Sequence, residues 1–239
     1  MLYFGRAFAF CTGVGKLSVN VYVDGFNVYY CAVKGTPYKW LNLLQLCSRL
    51  FPTKTVARFK YFSARVKALR HDPGAPQRQD VYWRALRTLP NLEIVEGHFV
   101  AWPKLLPQFP FAYLPNQLWP QNVQVHKAEE KGSDVNLAAY LVYDNCLANA
   151  DESIVFSNDS DLSHAIEIVA SKLKRPVMVV NPNRTSRVRQ DPKACSLSVD
   201  FKKVATNWMA SINDIHLANS QFPITLTDAK GSFSKPPTW

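Results

Sequence analysis

Short, largely apolar runs alternate along this chain with segments of helical periodicity. The runs VNVYVD, TVARFKYFSA, LEIVEGHFV, SIVFS and PVMVV are rich in β-branched and aromatic residues, as buried strands are. Strands separated by helices pair in parallel and carry helices on both faces of the sheet. The pattern therefore predicts an α/β protein, a three-layer α/β/α sandwich around a central, mostly parallel sheet of about five strands.

Helical periodicity is clearest in the segments from Tyr38 to Leu50, from Gln77 to Leu89, from about Asp134 onwards, and from the turn after Ser157 to about Leu173. The proline-rich stretch from Trp102 to Pro120 is predicted to be an irregular loop. Its aromatic side chains either stack on unpaired bases or, as the favoured interpretation, form a hydrophobic lid on their own domain. These side chains are Trp102, Phe109, Phe111, Tyr113 and Trp119.

The chain has 239 residues, 47% of them hydrophobic, which suffices for one sizeable core with extensions. We predict an N-terminal extension at 1–18, a catalytic domain at 19–182 and a C-terminal extension at 183–239. The last contains one helix from Val199 to about Asn207 and then an irregular tail. The N-terminal segment is too short, and too interrupted by Arg6, for a signal peptide or membrane span, so a start codon assigned too early is the favoured explanation.

Charge and cysteine usage restrict the partners and the compartment. The formal net charge of +10 favours a polyanionic partner such as nucleic acid. The five cysteines are widely separated and lack zinc-site spacing, which is typical of reduced thiols in a cytoplasmic protein. We expect no membrane partner, and a homodimer is compatible with the sequence.

Aspartates follow three of the predicted strands. Asp24 ends VNVYVD, Asp134 opens a helix after KGS, and Asp159 and Asp161 follow VFSN. Each alone has an ordinary explanation as a turn or helix-start residue. In a parallel sheet, however, these positions meet at one edge, where crowded carboxylates repel one another unless a cation lies between them. Oxygen ligands suit Mg²⁺ or Mn²⁺, so the pattern predicts a site for one or two such ions.

Three motifs carry a resemblance to a known family. DGFNVYY, EEKGSDVNLA and VFSNDSDL resemble, in this order, the motifs of the NYN domain, a branch of the PIN-like nuclease superfamily, and within it the bacterial LabA-like group. The resemblance covers about Val19 to Pro182 and implies a PIN-like, Rossmann-like sheet, a divalent-metal site and ribonuclease activity. It assigns catalysis and metal binding to the acidic positions Asp24, Asp134, Asp159 and Asp161, and it places Asn27 on the asparagine of the first motif.

The sequence departs from the family in one respect. Many PIN-like nucleases have a further acidic residue on the helix after the first strand, whereas 32–51 contains none. Either Glu130 substitutes for it, or the site binds a single tight ion.

Several polar residues are predicted to bind the substrate. The amides of Asn27 and Asn158 adjoin the aspartates and can hold a water or a phosphate oxygen. The loop after the second predicted strand, and the helix that follows it, lie at the same sheet edge and are predicted to supply a basic rim, while two further lysines flank the second motif. These cations are Arg65, Lys67, Arg70, Arg78, Lys127 and Lys131.

The leading hypothesis is a metal-dependent ribonuclease in which metal-activated water attacks the phosphodiesters of single-stranded or structured RNA. The alternative is a non-catalytic RNA-binding module of the same fold. A phosphatase of the haloacid dehalogenase type is a third hypothesis, but it requires a second aspartate where this chain has Phe26.

Overall fold

The computed structural model describes residues 16–68, 70 and 72–239, without the side chains at 101 and 126–128. Residues 1–15 of the predicted N-terminal extension lie outside the described residues. The strands are β1 (Leu17–Asp24), β2 (Lys54–Ala64), β3 (Leu92–Pro107), β4 (Asn122–Lys131), β5 (Glu152–Phe156), β6 (Val177–Val180), β7 (Asn207–Met209), β8 (Thr225–Asp228) and β9 (Gly231–Ser234).

Strands β1 to β7 form one sheet in the spatial order β4-β3-β2-β1-β5-β6-β7. Among the described strands of this sheet, the β3–β4 pair is antiparallel and the other pairs are parallel. The predicted α/β class with a mostly parallel sheet is confirmed, although the described part of the chain contributes seven strands to it. Strands β8 and β9 form a separate hairpin.

The helices are α1 (Gly25–Val28), α2 (Leu43–Leu50), α3 (Ala75–Leu86), α4 (Ser133–Cys146), α5 (Ser163–Glu167), α6 (Thr185–Gln190), α7 (Pro192–Cys195), α8 (Val199–Val204) and α9 (Asp214–Ala218). A π-helical turn, Tyr29–Val33, continues α1, and another, Ile168–Lys172, continues α5. Helix α2 begins later than predicted because the Asn42 side chain accepts a hydrogen bond from the Gln45 amide at 3.0 Å and caps it. Within the described residues, no helix combines the length and apolar character that crossing a bilayer requires.

The core lies on both faces of the sheet. Val19, Val21 and Val23 point to one face and pack with residues of α2, α3 and α9. Tyr22, between them, points to the other face, which α4, α5 and α8 cover. This alternation follows from the strand period of two and confirms the three-layer sandwich.

A buried ion pair fixes α4 on the sheet. Asp144 of α4 accepts hydrogen bonds from Lys60 Nζ at 2.7 Å and from the Tyr22 hydroxyl at 2.9 Å. Both charged side chains are almost fully buried, at 7% and 1% exposed. Removing one partner of such a pair would leave an uncompensated charge in the core, so the pair fixes the orientation of the helix whose first turn contains Asp134.

Strands β3 and β4 extend beyond the sheet as a two-stranded arm, residues 98–131 with their connecting loop. Strand β3 pairs with β2 only as far as Gly97 and then with β4 alone. Residues 102–107, predicted to be irregular, are therefore part of a strand. Phe109, Tyr113 and Trp119 in the loop are 86%, 58% and 79% exposed, so the hydrophobic-lid interpretation is wrong.

The C-terminal extension contributes to the fold more than the sequence indicates. The predicted helix ends at Val204, after which Asn207–Met209 joins the sheet as β7. Ile212, Leu217 and Phe222 lie in the core, and β8 and β9 form a hairpin. The prediction of an irregular tail is therefore corrected: the extension completes one side of the core.

Candidate functional site

The predicted acidic residues meet at the carboxyl edge of the sheet. Asp24 ends β1, Asp159 follows β5, Asp134 lies in the first turn of α4, and Glu130 lies at the end of β4. A cavity of about 360 Å³ is lined by these four side chains together with Phe26, Asn27, Tyr30, Cys31 and Phe99. Asp161 is exposed and does not line it. The structure therefore brings together three of the four predicted aspartates, and it places Glu130 with them.

The Asp24 carboxylate is held in one orientation. Its two oxygens accept hydrogen bonds from the backbone amide of Asn27 and from the Ser157 hydroxyl, both at 2.9 Å. The next residue, Gly25, leaves no room for a side chain, because a Cβ would lie 2.6 Å from the ring and hydroxyl of Tyr61. The DG pair in the sequence thus reflects close packing beneath the site.

Ser157 links the first and third motifs and was missed from the sequence. It is fully buried. Its hydroxyl donates a hydrogen bond to Asp24 and accepts one from the Asp159 backbone amide at 3.1 Å. Asp159 in turn accepts a hydrogen bond from the Asp161 amide at 3.0 Å. A serine directly before the NDSD run is the only sequence signal of this role.

The second motif places Glu130 and Asp134 on either side of a tight turn. Gly132 has a φ of 95°, a left-handed conformation that glycine adopts without strain, and it precedes α4. Glu130 accepts a hydrogen bond from the Ser133 amide at 3.0 Å, so it also caps the helix. Glu130 thus lies in the cavity where the sequence suggested it as the substitute acidic residue.

Crowding and burial raise the pKa of two carboxyls. Burial raises the pKa of Asp24 to about 7, the charges of Asp134 and Asp159 add to this, and the hydrogen bonds from Asn27 and Ser157 oppose it. Burial, followed by the charges of Asp159, Glu130 and Asp161, raises the pKa of Asp134 to about 6. The cavity therefore contains more negative charge than it can stabilise without a proton or a cation.

The donor chemistry of the cavity fits a hard divalent cation. Four carboxylates supply the oxygen ligands that Mg²⁺ and Mn²⁺ prefer. In the described part of the chain, no three His, Cys, Asp or Glu side chains already converge on one point. Mg²⁺ commonly binds through one or two carboxylates and keeps several waters, so two of these carboxylates, such as Asp24 and Asp159, would suffice to hold it together with water.

The two asparagines connect parts of the protein. The Asn27 side-chain oxygen accepts a hydrogen bond from the Asn158 amide at 3.1 Å. The Asn158 side chain donates to the Ser196 carbonyl and accepts from the Ser198 amide, both at 2.9 Å. Asn158, a predicted substrate ligand, therefore uses its side-chain amide group to hold the segment before α8 against the site.

Several predicted phosphate-binding cations are paired within the protein. Arg65 contacts Asp80 at 2.6 Å and Glu96 at 3.0 Å, and Arg78 pairs with Asp72. Lys131 lies 3.3 Å from Glu129. Lys67 and Arg70 are exposed in the segment after β2, and the Lys127 side chain lies outside the described residues. Among the described residues, Lys67 and Arg70 are thus the exposed members of the predicted rim that take part in none of these ion pairs.

Sequence reasoning also missed an aromatic side of the cavity. Phe26, Tyr30 and Phe99 line it, with the Phe26 and Phe99 rings 5.6 Å apart in an edge-to-face arrangement. Arg187 of α6 reaches this side and donates a hydrogen bond to the Tyr30 carbonyl at 2.5 Å. The aromatic letters of DGFNVYY gave a signal for two of these residues, whereas Arg187 lies in a basic segment with no local indication of where it folds.

The role of Ser157 can be tested by replacing it with alanine. Under the ribonuclease hypothesis from the sequence, we expect RNA cleavage to fall about 10- to 100-fold, because Asp24 and Asp159 lose their shared hydrogen-bonding partner. Initial cleavage rates at saturating Mg²⁺ measure this effect, with Ser160→Ala at the neighbouring exposed position as the control. Equal rates in the two variants would show that Ser157 does not position the carboxylates.

Together, the fold and the cavity define an α/β/α sandwich protein with a carboxylate cluster at the carboxyl edge of its parallel strands. The chain is 29% identical over 244 aligned positions to 6-hydroxy-3-succinoylpyridine 3-monooxygenase HspA of Pseudomonas putida, an alignment that covers 93% of this chain and 75% of that protein. A crystal structure of a protein of unknown function from Vibrio parahaemolyticus is similar in fold, with a TM-score of 0.51 and 18% identity. That similarity covers 84% of this chain and 95% of the other. No family model matches the chain.

Proposed function

We propose that this protein is a metal-dependent ribonuclease that hydrolyses phosphodiester bonds of RNA. The observation that carries the proposal is the cavity in which Asp24, Glu130, Asp134 and Asp159 meet. The net charge of +10 supports a polyanionic substrate, because the basic surface attracts the strand that the acidic cavity alone would repel.

The residues of the cavity would act mainly by positioning. A divalent cation, when bound, lowers the pKa of a coordinated water and offsets charge on the phosphate oxygens. Ser157 holds Asp24 and Asp159 in place beforehand, so binding requires little rearrangement of either side chain. Because water is the attacking group, the 2′-hydroxyl is not consumed, and the resemblance to the NYN domain implies products with 5′-phosphate and 3′-hydroxyl ends. The free thiols of Cys31, Cys47, Cys146 and Cys195 suit a cytoplasmic site of action.

A non-catalytic RNA-binding module of the same fold is less well supported. A protein that only binds RNA gains nothing from a crowded set of carboxylates beside the phosphate, and burial of Asp24 at 5% exposure makes that set costly. The raised pKa of Asp24, about 7, reflects this cost. The carboxylates therefore favour catalysis over binding alone.

The test is cleavage of end-labelled single-stranded RNA and DNA of the same sequence, with Mg²⁺ or Mn²⁺ and with EDTA. We expect cleavage of RNA that requires the metal and stops on chelation. Comparison of the two substrates gives the preference between RNA and DNA directly. RNA that binds but stays intact with both metals would instead support the binding module.

A second candidate function is oxygenation of a hydroxylated pyridine. It is favoured by the similarity to the Pseudomonas putida monooxygenase, which extends over 93% of this chain. The aromatic side of the cavity, with Phe26 and Phe99, would accommodate a flat ring. Oxygen uptake is measured with 6-hydroxy-3-succinoylpyridine and a reduced nicotinamide. Pyridine-dependent uptake in a protein that does not cleave RNA would replace the nuclease proposal.

A further inference from the structure

The cavity has two chemically different sides. One is acidic, with Asp24, Glu130, Asp134 and Asp159, and the other is aromatic, with Phe26, Tyr30 and Phe99. We propose that the aromatic side binds an unpaired base next to the scissile phosphate and that Arg187 binds a phosphate of the same strand. The inference rests on the proposed function, and it narrows the substrate to single-stranded RNA.

Tyr30 is the principal residue of this base site. It lines the cavity and is 52% exposed, so its ring is not used to fill the core. The Tyr29 ring packs edge-on at 5.2 Å, and Lys34 Nζ lies over one face of the Tyr30 ring, 4.6 Å from its centre, so a base would stack on the other face. An exposed aromatic ring beside a cation is the combination on which proteins stack single-stranded bases, and each such stack contributes a substantial part of the affinity.

Arg187 supplies the cation for the backbone. Its guanidinium carries five donors, and one of them reaches the Tyr30 carbonyl at 2.5 Å. The neighbouring Arg184 is neutralised by Asp214 at 3.1 Å. Among the described residues, by contrast, Arg187 takes part in none of the ion pairs. Arg187 is therefore fixed beside the base site with its charge available.

The partial burial of the Phe26 and Phe99 rings determines which nucleic acid can bind. A base can lie against Phe26 and Phe99 only if it leaves its own stack, because both rings are half-buried inside the cavity. Leaving the stack costs little in a single strand and considerably more in a duplex. The site therefore selects unpaired bases without requiring a particular sequence, since every base presents a flat face.

The test measures binding separately from cleavage. Asp159→Asn protein is titrated, in the presence of Mg²⁺, into a fluorescent single-stranded RNA of about ten nucleotides. We expect Tyr30→Ala in this background to weaken binding about tenfold. Tyr143→Ala, an exposed tyrosine of α4, is the matched control and should leave the Kd unchanged. A duplex of the same length should bind more weakly than the single strand.

An abasic oligomer of the same length distinguishes base stacking at Tyr30 from phosphate binding at Arg187. Tyr30→Ala should have no effect on its binding, because no base is present to stack. Arg187→Gln should weaken binding of both oligomers. It should also reduce the slope of log Kd against log salt concentration by about one, because one fewer phosphate is neutralised. Arg189→Gln is the control, since positions two residues apart on a helix face different directions.

Unchanged binding in Tyr30→Ala or Arg187→Gln, no measurable binding of the single strand, or equal binding of single strand and duplex, would each overturn the proposal. So would a Tyr30→Ala effect confined to 6-hydroxy-3-succinoylpyridine, which would assign the aromatic side to a small ring. Failure of the nuclease proposal is distinguishable, because wild-type protein would then bind RNA through Tyr30 without cutting it. Conversely, if Tyr30→Ala and Arg187→Gln, each made in the wild-type background, cleave RNA with an unchanged KM, the nuclease proposal stands and the base site is wrong.

Discussion

Asp159→Asn protein is expected to fold normally and to lose metal-dependent RNA cleavage by at least about a hundredfold, which corresponds to about 2.7 kcal/mol in the activation barrier. Asparagine retains the side-chain oxygen that accepts a hydrogen bond from the Asp161 backbone amide, so the turn after β5 is preserved. The substitution removes one of the charges that line the cavity, and with it a proposed ligand for the cation. Initial rates on labelled single-stranded RNA at several Mg²⁺ concentrations measure the effect.

Two matched variants show whether position matters as much as charge. Asp200→Asn removes an exposed carboxylate on α8 that forms an ion pair with Lys203 at 3.0 Å, and it should leave cleavage unchanged. Asp161→Asn should have a smaller effect than Asp159→Asn, since Asp161 is exposed and outside the cavity lining. A larger loss in Asp161→Asn would mean that the cation binds at the outer edge of the cluster.

The convergence of the aspartates was predictable because it depends on local patterns and one topological rule. The apolar runs before Asp24 and Asp159 mark strands that end at these residues, and carboxyl ends of parallel strands share an edge. Asp134 follows from the helical period after Gly132. No long-range information is needed for these three positions.

The arm was not predictable by the same patterns. Pro103 and Pro107 are typical of irregular chain, yet both lie within β3. Proline is tolerated where its missing N–H would point away from the ladder, as at the edge of a two-stranded arm. Composition alone does not distinguish such an edge strand from a loop.

The aromatic side of the cavity was missed because it is assembled from distant parts of the chain. Phe99 lies at the base of the arm, and Arg187 contacts Tyr30 across 157 positions of sequence. Neither contact has a local signature, since both depend on how the arm and the C-terminal extension pack against the sheet. Ser157 shows the same limitation on a smaller scale, because its function arises only when β1 lies beside β5.

The free energy of unfolding is expected to fall as the pH rises from about 4 to about 7. The Asp24 carboxyl has an ordinary pKa of 3.8 in the unfolded chain and about 7 when folded. Between these values the folded chain holds a proton that the unfolded chain has released, so stability is present at low pH and is lost as the pH rises. Asp24 alone contributes a slope of about 1.4 kcal/mol per pH unit, and Asp134 acts in the same direction up to about pH 6.

Asp24→Asn isolates this contribution from the other titrating groups. The amide oxygen still accepts from Asn27, while no charge has to be buried above pH 7. The variant should therefore be more stable than the wild type at pH 8 by a few kcal/mol, with little difference at pH 4. Urea unfolding at intervals between these values measures the difference, and Asp200→Asn, on an exposed carboxylate, should follow the wild type throughout.

Mg²⁺ should reverse the loss of stability at high pH, because the ion and the proton compete for the same carboxylates. In wild-type protein, the increase in Tm on adding Mg²⁺ should thus be larger at pH 8 than at pH 5, and it should largely disappear in Asp24→Asn. A Tm increase of equal size in both proteins would place the ion away from Asp24. A stabilised Asp24→Asn protein that also retains cleavage would contradict the proposed active site, since the cost of burying this charge would then have no catalytic counterpart.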